Sequence, residues 1–316
     1  MGAVIDQSVS AKSGSRARGI YIANLVAQGA IIVTGATVRL TGSGLGCPTW
    51  PQCVSGSYIP VARQEQEWHK YVEFGNRSLT FVLGLLAIAA LVAAFLDQRS
   101  RVSRGGPKRG ILLLLAAIPI LGTVAQAILG GITVLTGLNP VTVSLHFLLS
   151  MGLVAGLVAL VVRANDEGDG PITLLVRHEI RVLTWVLVAV TGVVVVLGTL
   201  VTGSGPHSGD AKAENRFTLD PRTISWIHAD VVLLFIGLLA GLLFALYLTR
   251  APRRVIMTTW SLVAITVAEA SIGYTQYFTG LPVALALVHV TGAALMWIAI
   301  LIVLASERIR ASVTSP

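Results

Sequence analysis

Three histidines of this 316-residue chain, His146, His228 and His289, lie inside long runs of apolar residues, where a polar ring is costly. Each falls about six to nine residues past the start of its run, roughly 9–13 Å along a helix rising 1.5 Å per residue. Imidazoles at one depth on related segments suit the ligation of one kind of planar cofactor, and histidine is the usual axial ligand of haem iron. The bland alternative is an interhelical hydrogen bond from each ring, worth about 1–2 kcal/mol in a membrane. For one histidine that alternative would win; three at matching depth favour haem.

Other residues stand near enough in sequence to join such a site. Glu73 precedes Asn76 by three residues and shares its helix face. It is either an acid poised beside an open iron site, its acidity tuned by partial burial, or an interfacial carboxylate paired with Lys70 or Arg77. Arg39 is either a partner for a haem propionate or an ordinary interfacial arginine, and Arg77 is a second candidate contact for a substrate haem. His69, two turns before Asn76, reads first as a surface histidine and second as a substitute ligand. Gln126 and Glu269 lie mid-run, where they line a cavity or bond across helices. Both cysteines, Cys47 and Cys53, sit in Gly46-Cys-Pro-Thr-Trp-Pro-Gln-Cys, where an oxidising compartment permits a disulfide. A staple for the loop and a redox or substrate-handling role are equally open. There is no Cys-x-x-Cys-His, which excludes covalent c-type haem attachment.

The elements that must position these residues are transmembrane helices. Of all residues 54% are hydrophobic and 12% charged, about half the charge of a soluble domain. Eight apolar blocks, at 20–41, 71–96, 110–136, 141–163, 181–203, 222–249, 255–279 and 281–305, reach the roughly 20 residues needed to cross a bilayer. Their residues run on without strand-like alternation. The leader 1–19 is polar and has no signal-peptide core. With that leader cytoplasmic, the inner segments hold most of the 23 basic residues, including Arg163, Arg177, Arg181, Arg250, Arg253, Arg254, Arg308 and Arg310. Arg39, Arg63, Lys70, Arg77, Lys212, Arg216 and Arg222 fall outside or near outer helix ends. The net charge of +8 is thereby explained without nucleic acid.

The chain also repeats itself. QAILGGITVLTGLNPVTVSLH, ending at His146, matches EASIGYTQYFTGLPVALALVH, ending at His289, at a constant offset. Thr41-Gly-Ser-Gly recurs as Thr202-Gly-Ser-Gly. The expected fold is an all-α membrane protein of eight transmembrane helices, two four-helix bundles related by a pseudo-two-fold axis along the membrane normal. The units are a leader (1–19), an N-terminal bundle (20–163), an inner linker (164–180), a C-terminal bundle (181–305) and a tail (306–316). His228 aligns with Asn76. The second bundle therefore holds a histidine pair suited to a closed, electron-transferring haem, whereas the first pairs His146 with an amide, a poor ligand that leaves iron open for chemistry. Glu73 has only Ser225 as its counterpart.

On these motifs the chain resembles the haem A synthases, membrane enzymes that oxidise haem O for terminal oxidases. The resemblance covers nearly the whole chain: eight spans, a tandem repeat, histidine contexts Val143-Ser-Leu-His and Leu287-Val-His, and the outer loop after Thr41-Gly-Ser-Gly-Leu-Gly-Cys-Pro. It implies that His228 and His289 are axial ligands of a haem b cofactor. It also implies that the N-terminal half binds haem O through His146, that Glu73 is the essential carboxylate, and that Cys47 and Cys53 form the outer-loop disulfide. The implied reaction hydroxylates the C8 methyl group of haem O twice, and the geminal diol loses water to leave a formyl group. Haem O synthase is the implied partner, beside membrane lipid and a further copy of the chain, and a bacterial-type plasma membrane with both termini cytoplasmic is the implied location. Asn76 departs from the family pattern, which often has histidine there. The rival readings are a non-catalytic dihaem b-type cytochrome, which leaves the porphyrin unchanged, and a transporter, which would place its polar groups nearer the bilayer midplane.

Overall fold

The computed structural model describes residues 2–105, 108–166, 170–210 and 215–310, with side chains from 16 onward. Lys212, the middle of the 164–180 linker and the end of the 306–316 tail lie outside the described residues. Eight helices follow in order: α1 (Gly2–Leu40), α2 (His69–Ser103), α3 (Gly110–Leu135), α4 (Pro140–Asn165), α5 (His178–Ser204), α6 (Pro221–Leu248), α7 (Arg253–Phe278) and α8 (Val283–Ser306). All eight are long and apolar enough to cross a membrane, and the protein is an all-α membrane protein. Their outward faces carry exposed Phe81, Leu85, Leu121 and Phe244, the inverse of a bundle made for water. Helical backbone satisfies its own polar groups, the condition for residence in lipid.

Local chemistry sets the helix ends. Asn139 and Asp220 are side-chain N-caps, accepting from the backbone N–H of Val141 and of Thr223, and each is followed by proline at the first helical position. The α3–α4 and α7–α8 connections use one turn twice. Gly137 and Leu138 have φ of 61° and 58°, and Gly280 and Leu281 have 79° and 60°. Glycine enters this region freely, whereas a leucine there costs about 1–2 kcal/mol. Leu138 is held regardless, because it is buried beneath Gly44 and Gly209.

Helices α1 to α4 pack as a ring of sequential neighbours closed by α1 against α4, and α5 to α8 pack in the same way. Diagonal partners, α2 with α4 and α6 with α8, share no extended contact. Each ring has its own apolar core, around Leu112, Leu153 and Leu157 in the first and around Leu187, Phe235 and Ile300 in the second. A third cluster, including Ile32, Met151, Val154, Val195 and Ala294, joins the rings where α1, α4, α5 and α8 meet. Across that seam Trp297 Nε1 donates to the carbonyl of Met151 at 2.9 Å.

The sequence reading treats the linker and tail as connecting chain, but the structure pairs them. β1 (Ile172–Leu174) and β2 (Arg308–Arg310) form a two-stranded antiparallel strap. Asp166 gathers Arg163 at 3.1 Å, Arg308 at 3.2 Å and Arg310 at 3.6 Å beside it. Glu307, at the end of α8, is 0% exposed and accepts from Thr184 Oγ1 and from Arg181 Nη1. Burial pushes its carboxyl up from 4.5 to about 7, against the opposing pull of Thr184 and Arg181. The folded protein therefore binds this proton more tightly than the unfolded chain does. The contribution to stability is full below the ordinary carboxyl value and is lost as pH rises through the folded one. The melting temperature in detergent should fall between about pH 5 and about pH 8, and Glu307→Gln should flatten that fall. A variant with the wild-type profile would remove Glu307 as its cause.

Candidate functional site

The three spanning histidines lie on diagonal helices of the rings. His228 lies on α6 and His289 on α8, two helices that stand diagonally in the second ring. A glycine on the neighbouring helix backs each imidazole. A Cβ at Gly198 would stand 3.5 Å from His228 Cε1, and one at Gly273 would stand 3.1 Å from His289 Cε1. The Nδ1 atom of each ring is buried. The carbonyl of Val194 lies beside His228, and Glu269 Oε1 lies 2.9 Å from His289 Nδ1. Two imidazoles on helices that do not pack together, each set into a glycine notch, fit the demands of a planar group ligated from both faces. Among the described residues no cluster of three or more His, Cys, Asp or Glu is placed to hold a bare metal ion.

The first ring repeats half of this plan. His146 on α4 has Gly130 behind it, where a Cβ would meet Cε1 at 3.2 Å, and its buried Nδ1 has no hydrogen-bond partner among the described residues. Across the ring on α2 stands Asn76, whose side-chain oxygen accepts from Thr34 Oγ1 at 2.7 Å. That amide is engaged in joining α2 to α1. His69 pairs through Nδ1 with Ser43 Oγ at 2.9 Å and stacks on Trp68, which keeps it with the outer loop.

Above this ring the 41–68 connection forms a clamped loop. Cys47 and Cys53 are joined as a disulfide, and both are buried. Glu73, 5% exposed, accepts the Cys47 backbone N–H at 2.6 Å and pairs with Arg77 at 2.5 Å. Arg77 also donates to the carbonyls of Cys47 and Thr49 at 2.6 and 2.9 Å. Lys70 is not the partner of Glu73; it donates instead to the carbonyls of Val61 and Ala62. The loop presses inward through Trp50, whose ring fills the place a side chain at Gly131 would take, one residue from the notch behind His146. Arg39 donates to the carbonyls of His207 and Thr202, so it ties α1 to the outer end of α5 and the loop that follows it.

Sequence reasoning singled out the histidines, Glu73 and the cysteines, and missed the glycines that back the rings. A signal for two of them was present: Gly130 and Gly273 hold one position of the repeat, sixteen residues before His146 and His289. The contacts of Arg77 generate a test. Arg77→Ala leaves the buried Glu73 carboxylate with the Cys47 N–H alone, at a cost of about 2 kcal/mol. Limited proteolysis in nanodiscs should then cut residues 48–66 several-fold faster, and Arg77→Lys, lacking the planar fork, should restore only part of the protection. Cutting at the wild-type rate would show that Arg77 does not hold the loop.

Comparison with known proteins places the chain among relatives. Over 286 residues the chain is 27% identical to a haem A synthase from Listeria monocytogenes, covering 85% of this chain and 88% of that protein. A haem A synthase from Listeria innocua matches with the same identity and coverage. A protohaem IX farnesyltransferase from Halobacterium salinarum is 28% identical over 199 residues, 55% of this chain and 42% of that protein. The sequence pattern of the COX15-CtaA family, described as cytochrome oxidase assembly protein, matches residues 18–301, and the chain belongs to that family.

Proposed function

We propose that this protein is a haem A synthase that oxidises the C8 methyl group of haem O to a formyl group by successive hydroxylations. The observation that carries the reading is the unequal pair of histidine sites: a histidine on each of the diagonal helices α6 and α8 in the second ring, and in the first a histidine on α4 with an engaged asparagine on α2. In this reading 181–305 is the haem b half, with His228 and His289 as axial ligands. The 20–163 half receives haem O on His146, leaving the iron face toward Asn76 open. A methyl C–H is a poor proton donor, so acid–base chemistry alone does not oxidise it. Haem b, when bound, supplies one-electron transfer.

The chain's own residues then do the following. His146 fixes the substrate porphyrin within the ring. Trp50, seated on Gly131, closes the outer side of that ring and keeps bulk water from the reacting edge. Glu73, held by Arg77 and the Cys47 N–H at the base of the loop, manages protons or stabilises positive charge that develops on the substrate. The basic inner segments support a plasma-membrane location with both termini cytoplasmic. The farnesyltransferase relative, matched over less than half its length, supports haem O synthase as a partner, since it contains a segment like this chain within a longer protein.

The test is to express the chain with a supply of haem O, extract the pigments and separate them by chromatography. Wild type should yield haem A. Glu73→Gln should lose that product while haem b stays bound, and His289→Ala should lose the haem b spectrum. Haem A made by Glu73→Gln at the wild-type rate would remove Glu73 from the chemistry. Wild type that binds two low-spin haems and never changes the porphyrin would establish the electron-transfer cytochrome instead.

A further inference from the structure

A buried carboxylate in the second ring has no counterpart in the first. Glu269 lies mid-helix in α7, 7% exposed, where an unpaired acid is costly. Its Oε1 is 2.9 Å from His289 Nδ1, at hydrogen-bond distance with the ring turned out of full alignment. Among the described residues the carboxylate has no other polar partner. Its Oε2 occupies the space that a side chain at residue 292 would need, and residue 292 is glycine.

The repeat shows how the side chain is steered there. At the offset that matches His146 to His289, Glu269 corresponds to Gln126, Gly292 to Leu149 and Ala293 to Ser150. In the first ring Gln126 donates to Ser150 Oγ at 2.7 Å and to the His146 carbonyl at 3.2 Å, so its amide turns away from the imidazole. In the second ring the hydroxyl is gone, the leucine has become a notch, and the amide has become a carboxylate. Three changes act in one direction: they send the side chain to the Nδ1 edge of the histidine.

We infer that Glu269 is a positioning residue that takes the Nδ1–H of His289, aims Nε2 into the ring and makes that imidazole a stronger electron donor than His146. The inference rests on the assignment of His228 and His289 as haem ligands. A carboxylate behind a ligating histidine fixes its tautomer and raises its basicity, and loss of such a partner typically weakens metal binding 10–100-fold. Negative charge behind the ligand favours the ferric form, so the haem of the second ring is held at a lower potential than an amide in that place would give. Charge neutralisation also accounts for a carboxylate at this depth.

Two variants test this by different routes on the purified, haem-loaded protein. Glu269→Gln removes the charge in the same shape, and Gly292→Ala keeps the charge but displaces the carboxylate. The readouts are haem b content by pyridine haemochrome, the midpoint potential from a redox titration, and the low-spin ferric electron paramagnetic resonance spectrum. Both variants should shift the ferric–ferrous balance about tenfold toward ferrous, an upward change of about 59 mV for one electron. The ferric spectrum should move with it. Should Glu269→Gln fail to fold, Gly292→Ala decides alone. Midpoint and spectrum unchanged in the folded variants would overturn the inference. Low-spin haem b retained in His289→Ala would instead overturn the ligand assignment beneath it.

Discussion

Two imidazoles can grip a flat ring between them only if the helices that carry them are kept apart, and in a tightly packed bundle that separation has to be built in. Here it comes from closing each set of four helices through sequential neighbours, so that α6 and α8, like α2 and α4, stand diagonally and do not pack together. Glycine completes the arrangement. At 130, 198 and 273 the absence of a Cβ lets an imidazole edge lie against the next helix instead of crowding the centre of the ring. In lipid, where apolar burial gives helices little reason to associate, close approach over small residues is also what holds neighbours together. The notch that seats the histidine therefore also packs the helices.

The outer loop adds a second constraint on the first ring. Glu73, Arg77 and Lys70, at the entrance of α2, bond to the 41–68 connection and, for Glu73 and Arg77, to one another. Together with the disulfide they hold Trp50 against α3. The carboxylate read as catalytic thus also anchors the cover of its own site. In the second ring Ser225 stands in its place.

Much of this was legible in the residues alone. The eight helices follow from uninterrupted apolar blocks, because a bilayer leaves the backbone little alternative. Most of their ends fall within a few residues of the expected ones, set by prolines such as Pro140, Pro221 and Pro282 and by the Gly-Leu turns, but α1 begins at Gly2, inside the polar leader, and α2 runs on to Ser103. The histidines stood out because polar groups are rare at that depth. Partners were harder to see. Whether Glu73 meets Lys70 or Arg77 depends on the path of a 28-residue connection, and the destination of Arg39 depends on how the rings meet. Helical spacing offers Glu73 both partners, Lys70 three residues before it and Arg77 four after, and it marks nothing for Arg39. The strap of β1 and β2 has only three residues in each strand, too few for alternation to announce it.

That strap bears on how the molecule is made. Arg308–Arg310 follows all eight spans, so the strand it forms leaves the ribosome only after the last helix has entered the bilayer. Until then Asp166, at the end of α4, waits without two of the three arginines it will gather. The two rings can each assemble and begin to associate through their apolar seam, but the inner latch between them closes as a final act of biogenesis. A chain stopped just short of Arg308 would carry every histidine and every helix, and would hold its halves together by the apolar seam without this polar tie.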